Sequence, residues 1–391
     1  MTYYIGIDIA KYKHDCFIMD HDGAVACEPF TFANDAEGFA KLSSVLGSLD
    51  PSQEKRIGFE ATGHYGSCLM AFLDSRGFSF MEINPILVKR FSSATTLRRT
   101  KTDKADAALI ASYLASAEYA AYPVKSYHIR SLKSLTRARD ALVGKRSQQL
   151  VAMTNILDRI FPEFKPFFGN SLKSSTALYL LENYSTPSRM ARMNRESYEK
   201  MSRKLRRTIS YARFVELREL AKNTVGSEDD CAAFELGIHI DVYRNIDANV
   251  GKLESFIGSE YEKLGSHIHT VKGIGTISAA TIYAEYGGIS NFETAGQMLA
   301  FAGLDASRNE SGEHSYAGRM VKHGSPHLRR VLLNCAESVV IHNPVFYDYY
   351  RKKRAEGKHH RVALTHVARK LVRIIFCLEK NGVDFDPGKL R

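Results

Sequence analysis

The chain has little cysteine and proline and no long apolar run, and each of these absences excludes a class of protein. Its six cysteines are scattered without a CxxC pair, so their spacing predicts neither a zinc site nor a disulfide framework. Ten prolines beside 44% hydrophobic residues exclude disordered and collagen-like chains. No apolar stretch approaches the roughly 20 residues of a membrane span, and no basic start typical of a signal peptide is present. We therefore expect a cytoplasmic protein without membrane contact.

Positive charge is in excess, and it is unevenly distributed along the 391 residues. Lys and Arg number 54 against 43 Asp and Glu, a net charge of +11, so a polyanion is the first partner to consider. Residues 1–125 carry 13 basic and 15 acidic side chains, residues 126–268 carry 23 and 17, and residues 269–391 carry 18 and 11. We expect the first region to be a catalytic or metal-binding domain and the other two to face the polyanion. Solvated helix surfaces are the alternative for the middle region.

The first 125 residues alternate between strand and helix patterns. Three β-rich runs come first, at 3–8, 14–20 and 24–32, with a turn at His21-Asp22-Gly23. The remaining predicted elements are a helix from Asp35, a strand at 56–60, a helix at 64–76, a strand at 78–83 and a helix that begins near Thr102. This order of three antiparallel strands, helix, strand, helix, strand and helix is that of an α/β ribonuclease-H-like core.

Residues 126–268 are predicted to be helical throughout. Apolar residues recur three or four positions apart from Ile129 to Ile160 and again from Val242 to Leu264. This spacing predicts two long amphipathic helices that form an antiparallel hairpin or a dimerising coiled coil. Helices at about 171–183 and 196–223 fill the interval, and the second is rich in Arg and Lys. Residues 269–391 are also predicted to be mostly α-helical.

Four carboxylates are the strongest candidates for chemistry. Asp8 ends the first predicted strand, Glu60 ends a later parallel strand, and Asp103 and Asp106 share one face of a helix because they lie three residues apart. A ribonuclease-H-like core brings these elements to one edge. Carboxylate oxygens select Mg²⁺ or Mn²⁺, and two such ions stabilise both the attacking and the leaving oxygen of a phosphodiester. Taken singly, each acid is more often a cap, turn or surface residue.

Several motifs resemble, in order and spacing, the DEDD-type transposases of the insertion-sequence one-ten family, which includes a pilin-gene DNA invertase. They are IGIDIAK, FEATGHY, INP, KTDKADA, VKGIGTISAATI, FAGLDASRNESG and GSPHLRR. The resemblance covers both ends of the chain and leaves the middle helices unmatched. It implies that Asp8, Glu60, Asp103 and Asp106 form a RuvC-like site that holds metal.

The same resemblance implies a nucleophile in the C-terminal region. Ser311, in the polar stretch Gly303–Gly312, matches the family's catalytic serine, which attacks DNA and forms a covalent 5′-phosphoserine link. By chemistry alone, a serine beside glycine in a loop is more often a turn residue. Ser307, Ser315 and Ser325 compete with it, and Ser325 before Pro326 is expected to cap a helix.

Two further partners are implied by the resemblance. Members of the family bind a structured guide RNA that is encoded by the element and pairs with donor and target DNA. Their active site is assembled between subunits, which implies a homo-oligomer, a dimer or a tetramer.

Residues 269–391 also contain candidate contacts to a nucleic-acid backbone. Gly273 and Gly275 resemble the turn of a helix-hairpin-helix, in which backbone N–H groups approach a phosphate; a plain packing bend is the alternative. Basic residues accompany them, several near tyrosines that favour phosphate contacts and base stacking. These are Arg319, Lys322, Arg329, Arg330, Arg351, Lys352, Lys353 and Arg354.

We therefore expect a Mg²⁺-dependent DNA recombinase of an insertion sequence, acting through a phosphoserine and guided by RNA. A DNA invertase or a RuvC-like junction nuclease without guide RNA would use the same acids. An actin-like ATPase is an alternative of another class, because IGIDIA at a chain start resembles its first phosphate strand. A non-catalytic RNA-binding protein is a further one.

Overall fold

The computed structural model describes residues 1–61, 65–95, 103–119, 126–311, 314–320 and 324–390. Two compact units emerge, Met1–His128 and Ile129–Arg391. The first is α/β and the second is mainly helical, which confirms the predicted fold class at this level. The predicted boundary at residue 268 stays a prediction. Among the helices of the described residues, none is long and apolar enough to cross a membrane.

The first unit is built from strands and helices in the predicted order, with one additional helix at 85–95 that was not predicted. Its elements are β1 (Thr2–Ile9), β2 (Lys13–Met19), β3 (Val25–Ala33), α1 (Ala36–Ser48), β4 (Glu54–Glu60), α2 (Ser67–Ser75), β5 (Phe80–Ile83), α3 (Pro85–Thr95) and α4 (Asp103–Ser116). Asp35 accepts a hydrogen bond from the Gly38 N–H and caps α1, as expected of an aspartate before a helix. Thr102, the expected cap of α4, lies outside the described residues.

The five strands form one mixed sheet in the order β3-β2-β1-β4-β5. β2 is antiparallel to both β1 and β3, whereas β4 is parallel to β1 and β5 is parallel to β4. The predicted turn between β2 and β3 is present, and Gly23 adopts the left-handed backbone (φ +82°) that glycine allows there. The central pair is therefore β1 and β4.

Helices cover both faces of this sheet. On one face, Ile7 and Phe59 join the apolar side chains of α1 and α2 in a buried core. On the other face, Leu114 of α4 and Val88 of α3 form a smaller core with Ile83. Because side chains alternate along a strand, neighbouring positions on β1 and β4 serve opposite cores.

Helix α4 lies unusually close to β1, and Gly6 is the reason. A Cβ at Gly6 would lie 2.1 Å from the Ala107 carbonyl oxygen and 2.5 Å from the Ala111 nitrogen. Its neighbour in the sheet, Gly58, leaves room for Leu114 of the same helix. The helix backbone therefore packs directly on the central strands, and only glycine at position 6 permits this approach.

The second unit contains helices and one two-stranded sheet. Its elements are α5 (Ser126–Ile160), α6 (Phe164–Phe167), α7 (Ser175–Asn183), α8 (Pro187–Ala191), α9 (Arg195–Lys204), α10 (Tyr211–Lys222), α11 (Asp230–Glu262), α12 (Thr276–Tyr286), α13 (Ala295–Phe301), β6 (Ala306–Ser311), β7 (His314–Met320), α14 (Pro326–His342), α15 (Pro344–Ala355) and α16 (His360–Asn381). Short 3₁₀ turns occur at Ile268–Thr270, Ile289–Asn291 and Pro387–Leu390. The first residues of α5 belong to the preceding unit.

The two long helices predicted in the middle region are α5 and α11, and they pack antiparallel within the chain. Arg139 Nε lies 2.9 Å from Glu254 Oε1, and Arg146 Nη1 lies 2.5 Å from Asp247 Oδ1. The second ion pair lies seven residues later on α5 and seven residues earlier on α11, so the two helices run in opposite directions. Of the two predicted arrangements, the antiparallel hairpin is present within one chain.

This helix pair joins two apolar cores. Near one end, Leu132 and Ile257 enter a core with α12, α14 and α16. Near the other end, Met153 and Leu236 enter a core with α7 and α10. Each long helix is therefore stabilised at both ends by tertiary packing.

One predicted helix is wrong in its extent. The expected helix at 196–223 is two helices, α9 and α10, separated by residues 205–210. Ser210 accepts a hydrogen bond from the Arg213 N–H and caps α10, so a new helix begins there. Two cations, Arg206 and Arg207, lie within this interruption.

A buried carboxylate ties three helices of the second unit together. Glu285 of α12 has no solvent-exposed area, and Arg137 of α5 donates to it from Nε (2.6 Å) and Nη2 (3.0 Å). Ser325, which caps α14, donates from Oγ (2.7 Å), and Lys133 Nζ lies 3.7 Å away. Burial acts to raise the pKa of Glu285, but these hydrogen bonds and the Lys133 charge outweigh burial and hold the pKa below its ordinary value.

Gly6→Ala is expected to destabilise the first unit by about 3 kcal/mol or more, because its Cβ would overlap the α4 backbone rather than a movable side-chain end. Gly47→Ala is the matched control, since nothing lies within 4 Å of a Cβ at that helical position. It is expected to be neutral or to stabilise by up to about 1 kcal/mol. Urea unfolding of the full chain measures both, and equal effects would contradict the close packing.

Arg137→Met is expected to lower the free energy of unfolding by about 3 kcal/mol at pH 7, because it leaves Glu285 charged and buried. In the parent, the depressed pKa of Glu285 stabilises the fold above the unfolded value of about 4.3 and this contribution is lost as the pH falls through the folded pKa. The difference between parent and variant should therefore shrink on acidification. Arg195→Met, which removes an exposed pair with Glu199, should cost under about 0.5 kcal/mol at either pH.

Candidate active site

Asp8 and Glu60 occupy neighbouring positions at the same edge of the mixed sheet. β1 and β4 are parallel with Gly6 opposite Gly58 and Ile7 opposite Phe59, and Asp8 and Glu60 come next on the two strands. Ile7 and Phe59 belong to the core under α1 and α2, so Asp8 and Glu60 project toward the opposite face, the one that α4 covers. Both carboxylates are half-buried.

The direction of α4 brings its first turn to this edge. Leu114, near the end of α4, packs in the core that includes Tyr4 of β1, whereas Ala107 and Ala111 lie over Gly6. α4 therefore runs in the opposite direction to β1, and its first turn, with Asp106, lies toward the end of β1 that carries Asp8. Asp106 is half-buried. Asp103 is the first residue of α4, and only its backbone is described.

The structure thus places Asp8, Glu60 and Asp106 at one edge of the sheet. In the described part of the chain, the one group of three acidic or histidine ligand atoms within 4.8 Å of one another is Asp20, His21 and Asp22. That group is the turn between β2 and β3, where Asp20 Oδ1 accepts hydrogen bonds from the Asp22 and Ala24 N–H groups. It is an exposed turn at a different place from the predicted acids.

Asp15 is a further acid at this edge, and the sequence analysis did not select it. It pairs with Asp8 across the antiparallel strands β1 and β2, so the two side chains share a face. Asp15 is 5% exposed, and Thr31 Oγ1 donates a 2.5 Å hydrogen bond to it. The sequence feature that could have indicated Asp15 is the short connection from Ile9 to Lys13, because it fixes the register of β2 against β1. Two carboxylates therefore lie side by side on one face of the sheet at this edge.

Ser311 lies on a β-hairpin, which corrects the prediction that it lies in a loop of a mostly α-helical region. Ser311 is the last residue of β6 and pairs with His314 of β7, so it is at the hairpin tip. The strand was missed because ASRNES has no apolar alternation. The side chain of Ser311 and the residues 312–313 lie outside the described part of the chain.

The root of the hairpin is held closely. Gly324 (φ +141°) lies so near α13 that a Cβ there would be 2.2 Å from the Phe301 carbonyl oxygen. On the other strand, Asp305 is 3.5 Å from Arg369 of α16. Ser325 caps α14, as predicted, by accepting a hydrogen bond from the Leu328 N–H, and it also donates to Glu285. The backbone on both sides of the hairpin is therefore anchored in the second unit.

The two candidate backbone-binding glycines differ in their surroundings. Gly273 has φ +106°, and a Cβ there would be 2.9 Å from the Val339 Cα, so this glycine serves close packing against α14. Gly275 precedes the first residue of α12 and has open space where its Cβ would be. Open backbone at a helix start is the feature that a phosphate contact needs.

Several candidate basic side chains have partners within the chain. Arg330 is paired with Asp140 of α5, Lys353 lies 2.8 Å from Glu356, and Arg354 donates to the Lys358 carbonyl oxygen. Arg351 lies 5.9 Å from the centre of the Tyr347 ring.

The rest of the basic set is placed as follows. Lys352 is exposed on α15, and Arg329 lies in the first turn of α14. Arg319 is on β7, with only its backbone described, and Lys322 lies outside the described residues.

Comparison with known proteins identifies the family on both sides of the middle helices. A model of the IS110 DEDD type, described as a transposase, matches residues 5–162, and a model described as the transposase IS116/IS110/IS902 family matches residues 265–351. The chain is 22% identical to the 44.8 kDa protein of insertion element IS116 from Streptomyces clavuligerus, over 98% of this chain and 96% of that protein. It is 24% identical to the 42 kDa protein of insertion element IS900 from Mycobacterium paratuberculosis, over 98% and 97%.

The name of a third relative describes a role. The pilin gene-inverting protein of Moraxella lacunata is 30% identical over 37% of this chain and 46% of its own length. The matched regions contain the sheet edge with Asp8, Glu60 and Asp106 and the hairpin with Ser311. By these matches the chain belongs to the IS110 family of transposases.

Proposed function

We propose that this transposase is a metal-dependent DNA recombinase with a RuvC-like first domain and a serine nucleophile in its second unit. The observation that carries the proposal is the shared sheet edge, where Asp8 and Glu60 are neighbours on parallel strands and the first turn of α4 brings Asp106 to the same face. The strand order, with β2 alone antiparallel in the sheet, supports the ribonuclease-H-like assignment.

The acids at this edge fit a divalent cation by their chemistry. Asp8, Glu60, Asp106 and the predicted Asp103 offer hard carboxylate oxygens, which suit Mg²⁺ or Mn²⁺, and two such ions would stabilise both the attacking and the leaving oxygen of a phosphodiester. Asp15, buried beside Asp8, adds negative charge at the same place. A bound cation would polarise the phosphodiester and stabilise charge on its oxygens.

The covalent step assigned to Ser311 balances as a transesterification. The Ser311 Oγ attacks the scissile phosphorus, an Oγ–P bond forms, and the bond from phosphorus to the 3′ oxygen breaks. The serine loses its proton, and the leaving 3′ oxygen takes one up to become a hydroxyl. Attack by the 3′ hydroxyl of a second strand then restores the serine and joins the strands, so no external energy source is required. The anchored hairpin root supports this role, because a nucleophile must be held in a defined position.

The family resemblance also implies that the protein binds a guide RNA and that its chains pair, and we include both in the proposal. An exposed apolar row on α11 supports chain pairing: Phe234, Ile238 and Val242 lie four residues apart and are 74%, 50% and 40% exposed. DNA inversion is the second candidate function, supported by the similarity to the pilin gene-inverting protein. It would use the same acids and the same serine.

Ser311→Ala is expected to abolish the covalent protein–DNA adduct and to reduce strand exchange by at least about 10³-fold, because no other group supplies the attacking oxygen. Ser315→Ala, on the facing strand of the hairpin, is the matched control and should retain the adduct. Denaturing gel analysis of labelled DNA measures both. An adduct that persists in Ser311→Ala and disappears in Ser315→Ala would transfer the role to Ser315.

Asp8→Asn and Asp106→Asn are each expected to reduce cleavage by about 10³-fold, which corresponds to the several kcal/mol that bound metal contributes. Asp20→Asn alters the other acidic group, at the exposed turn, and should leave cleavage unchanged. EDTA should stop cleavage by the parent, and Mg²⁺ or Mn²⁺ should restore it. Full activity in EDTA, or equal losses in all three variants, would contradict a metal site at this edge.

A further inference from the structure

A strongly basic segment lies in the middle helices, outside the residues that either family model matches. Residues 164–225 carry 13 Lys and Arg against five Asp and Glu, an excess of eight in a chain whose net charge is +11. Four of these cations fall in one five-residue stretch that ends α9 and continues beyond it: Arg203, Lys204, Arg206 and Arg207. We call this stretch, residues 203–207, the basic segment.

The four cationic side chains of the basic segment are exposed, while the fifth residue anchors it. Leu205 packs against the core formed by α7, α10 and the long helices. All four cations are exposed, and none has an acidic partner among the described residues. Arg203 Nε donates to the Glu199 carbonyl oxygen, and Lys204 lies 5.4 Å from the centre of the Tyr179 ring. The charges therefore face solvent without neutralisation.

The backbone of the basic segment is held in place although it is not helical throughout. The buried Thr176 donates from Oγ1 to the Arg207 carbonyl oxygen (3.4 Å), and Tyr198 donates from its hydroxyl to the Ile209 carbonyl oxygen (3.2 Å). The Tyr198 ring also packs on Phe214 of α10. A fixed backbone with exposed cations is arranged for binding a polyanion at low entropic cost.

Four other cations of the same region are paired with acids, in contrast to the four cations of the basic segment. Arg195 pairs with Glu199, Arg213 with Glu216, and Lys222 with Glu219. Arg189 faces Asp230 at 3.7 Å. Arg203 and Lys204 interact favourably with the C-terminal end of α9, but Arg206 and Arg207 lie beyond that helix.

We propose that the basic segment is a nucleic-acid-binding surface that contacts the phosphate backbone. Its length supports this partner: five residues reach at most about 18 Å, a distance over which duplex DNA presents about ten phosphate charges. Duplex DNA and RNA present the same phosphate chemistry, so the experiment uses both.

The test measures binding of the full chain to a 30-bp DNA duplex and to a single-stranded RNA of the same length, across a range of salt concentrations. The variant Arg203→Gln/Lys204→Gln/Arg206→Gln/Arg207→Gln should reduce the slope of log affinity against log salt by about 3, because each lost phosphate contact removes about 0.9 with duplex DNA and about 0.7 with a single strand. A reduced slope with one probe identifies that nucleic acid as the partner, and a reduced slope with both identifies a shared backbone site.

The matched control removes the same number of charges from the same region. Arg189→Gln/Arg195→Gln/Arg213→Gln/Lys222→Gln alters the four ion-paired cations and should change the slope by less than about 1. An unchanged slope in the first variant, or equal losses in both, would overturn the proposal, since equal losses indicate net charge alone. Arg206→Gln and Arg207→Gln, outside any helix, should each lower the slope by about 1 even if the fourfold variant unfolds. Binding requires no strand cleavage, so this outcome is independent of the roles proposed for Ser311 and the acids.

Discussion

The close approach of α4 to the central strands is the constraint on which the candidate active site depends. At Gly6 and Gly58 the strands present no obstructing side chain, so the helix backbone lies directly on the sheet. The same contact fixes how far along the sheet the first turn of α4 reaches, and therefore where Asp106 lies relative to Asp8 and Glu60. The acids come from three elements that are distant in sequence, and a backbone contact at one glycine sets their register.

In the second unit, the hydrogen bonds of one buried carboxylate fix the positions of helices in the way that the glycine contact does in the first. Glu285 is fully buried, and it contacts Arg137 of α5 and Ser325 at the start of α14. The chain enters the hairpin of Ser311 from α13 and leaves it toward Ser325, so the helix cap at one root of the hairpin is fixed by the same carboxylate. Apolar packing alone would hold these helices together, whereas a directional hydrogen bond also specifies where α14 begins.

Much of the first unit was predictable because its signals are local. Alternating apolar residues defined β1, β2 and β4, and Asp35 marked the start of α1. The edge position of Asp8 and Glu60 followed from strand order. Asp15 was missed because its significance comes from cross-strand register rather than from its own neighbours. In the second unit, β6 was missed because its residues are polar on both faces, and the single helix expected at 196–223 ignored the cap at Ser210. The role of Gly273 in packing against Val339 involves residues far apart in sequence, which periodicity does not reveal.

The antiparallel pairing of α5 with α11 has a consequence for how such chains change in length. Arg139 pairs with Glu254 and Arg146 pairs with Asp247, so the register of the two helices is the same at both ion pairs. An insertion in one helix alone would shift the register of every contact beyond it. Insertions of seven residues in both helices would lengthen the helix pair by about 10 Å and leave the packing at each end intact. The helix pair therefore sets the distance between the two cores, and that distance can change in evolution only when both helices change by the same length.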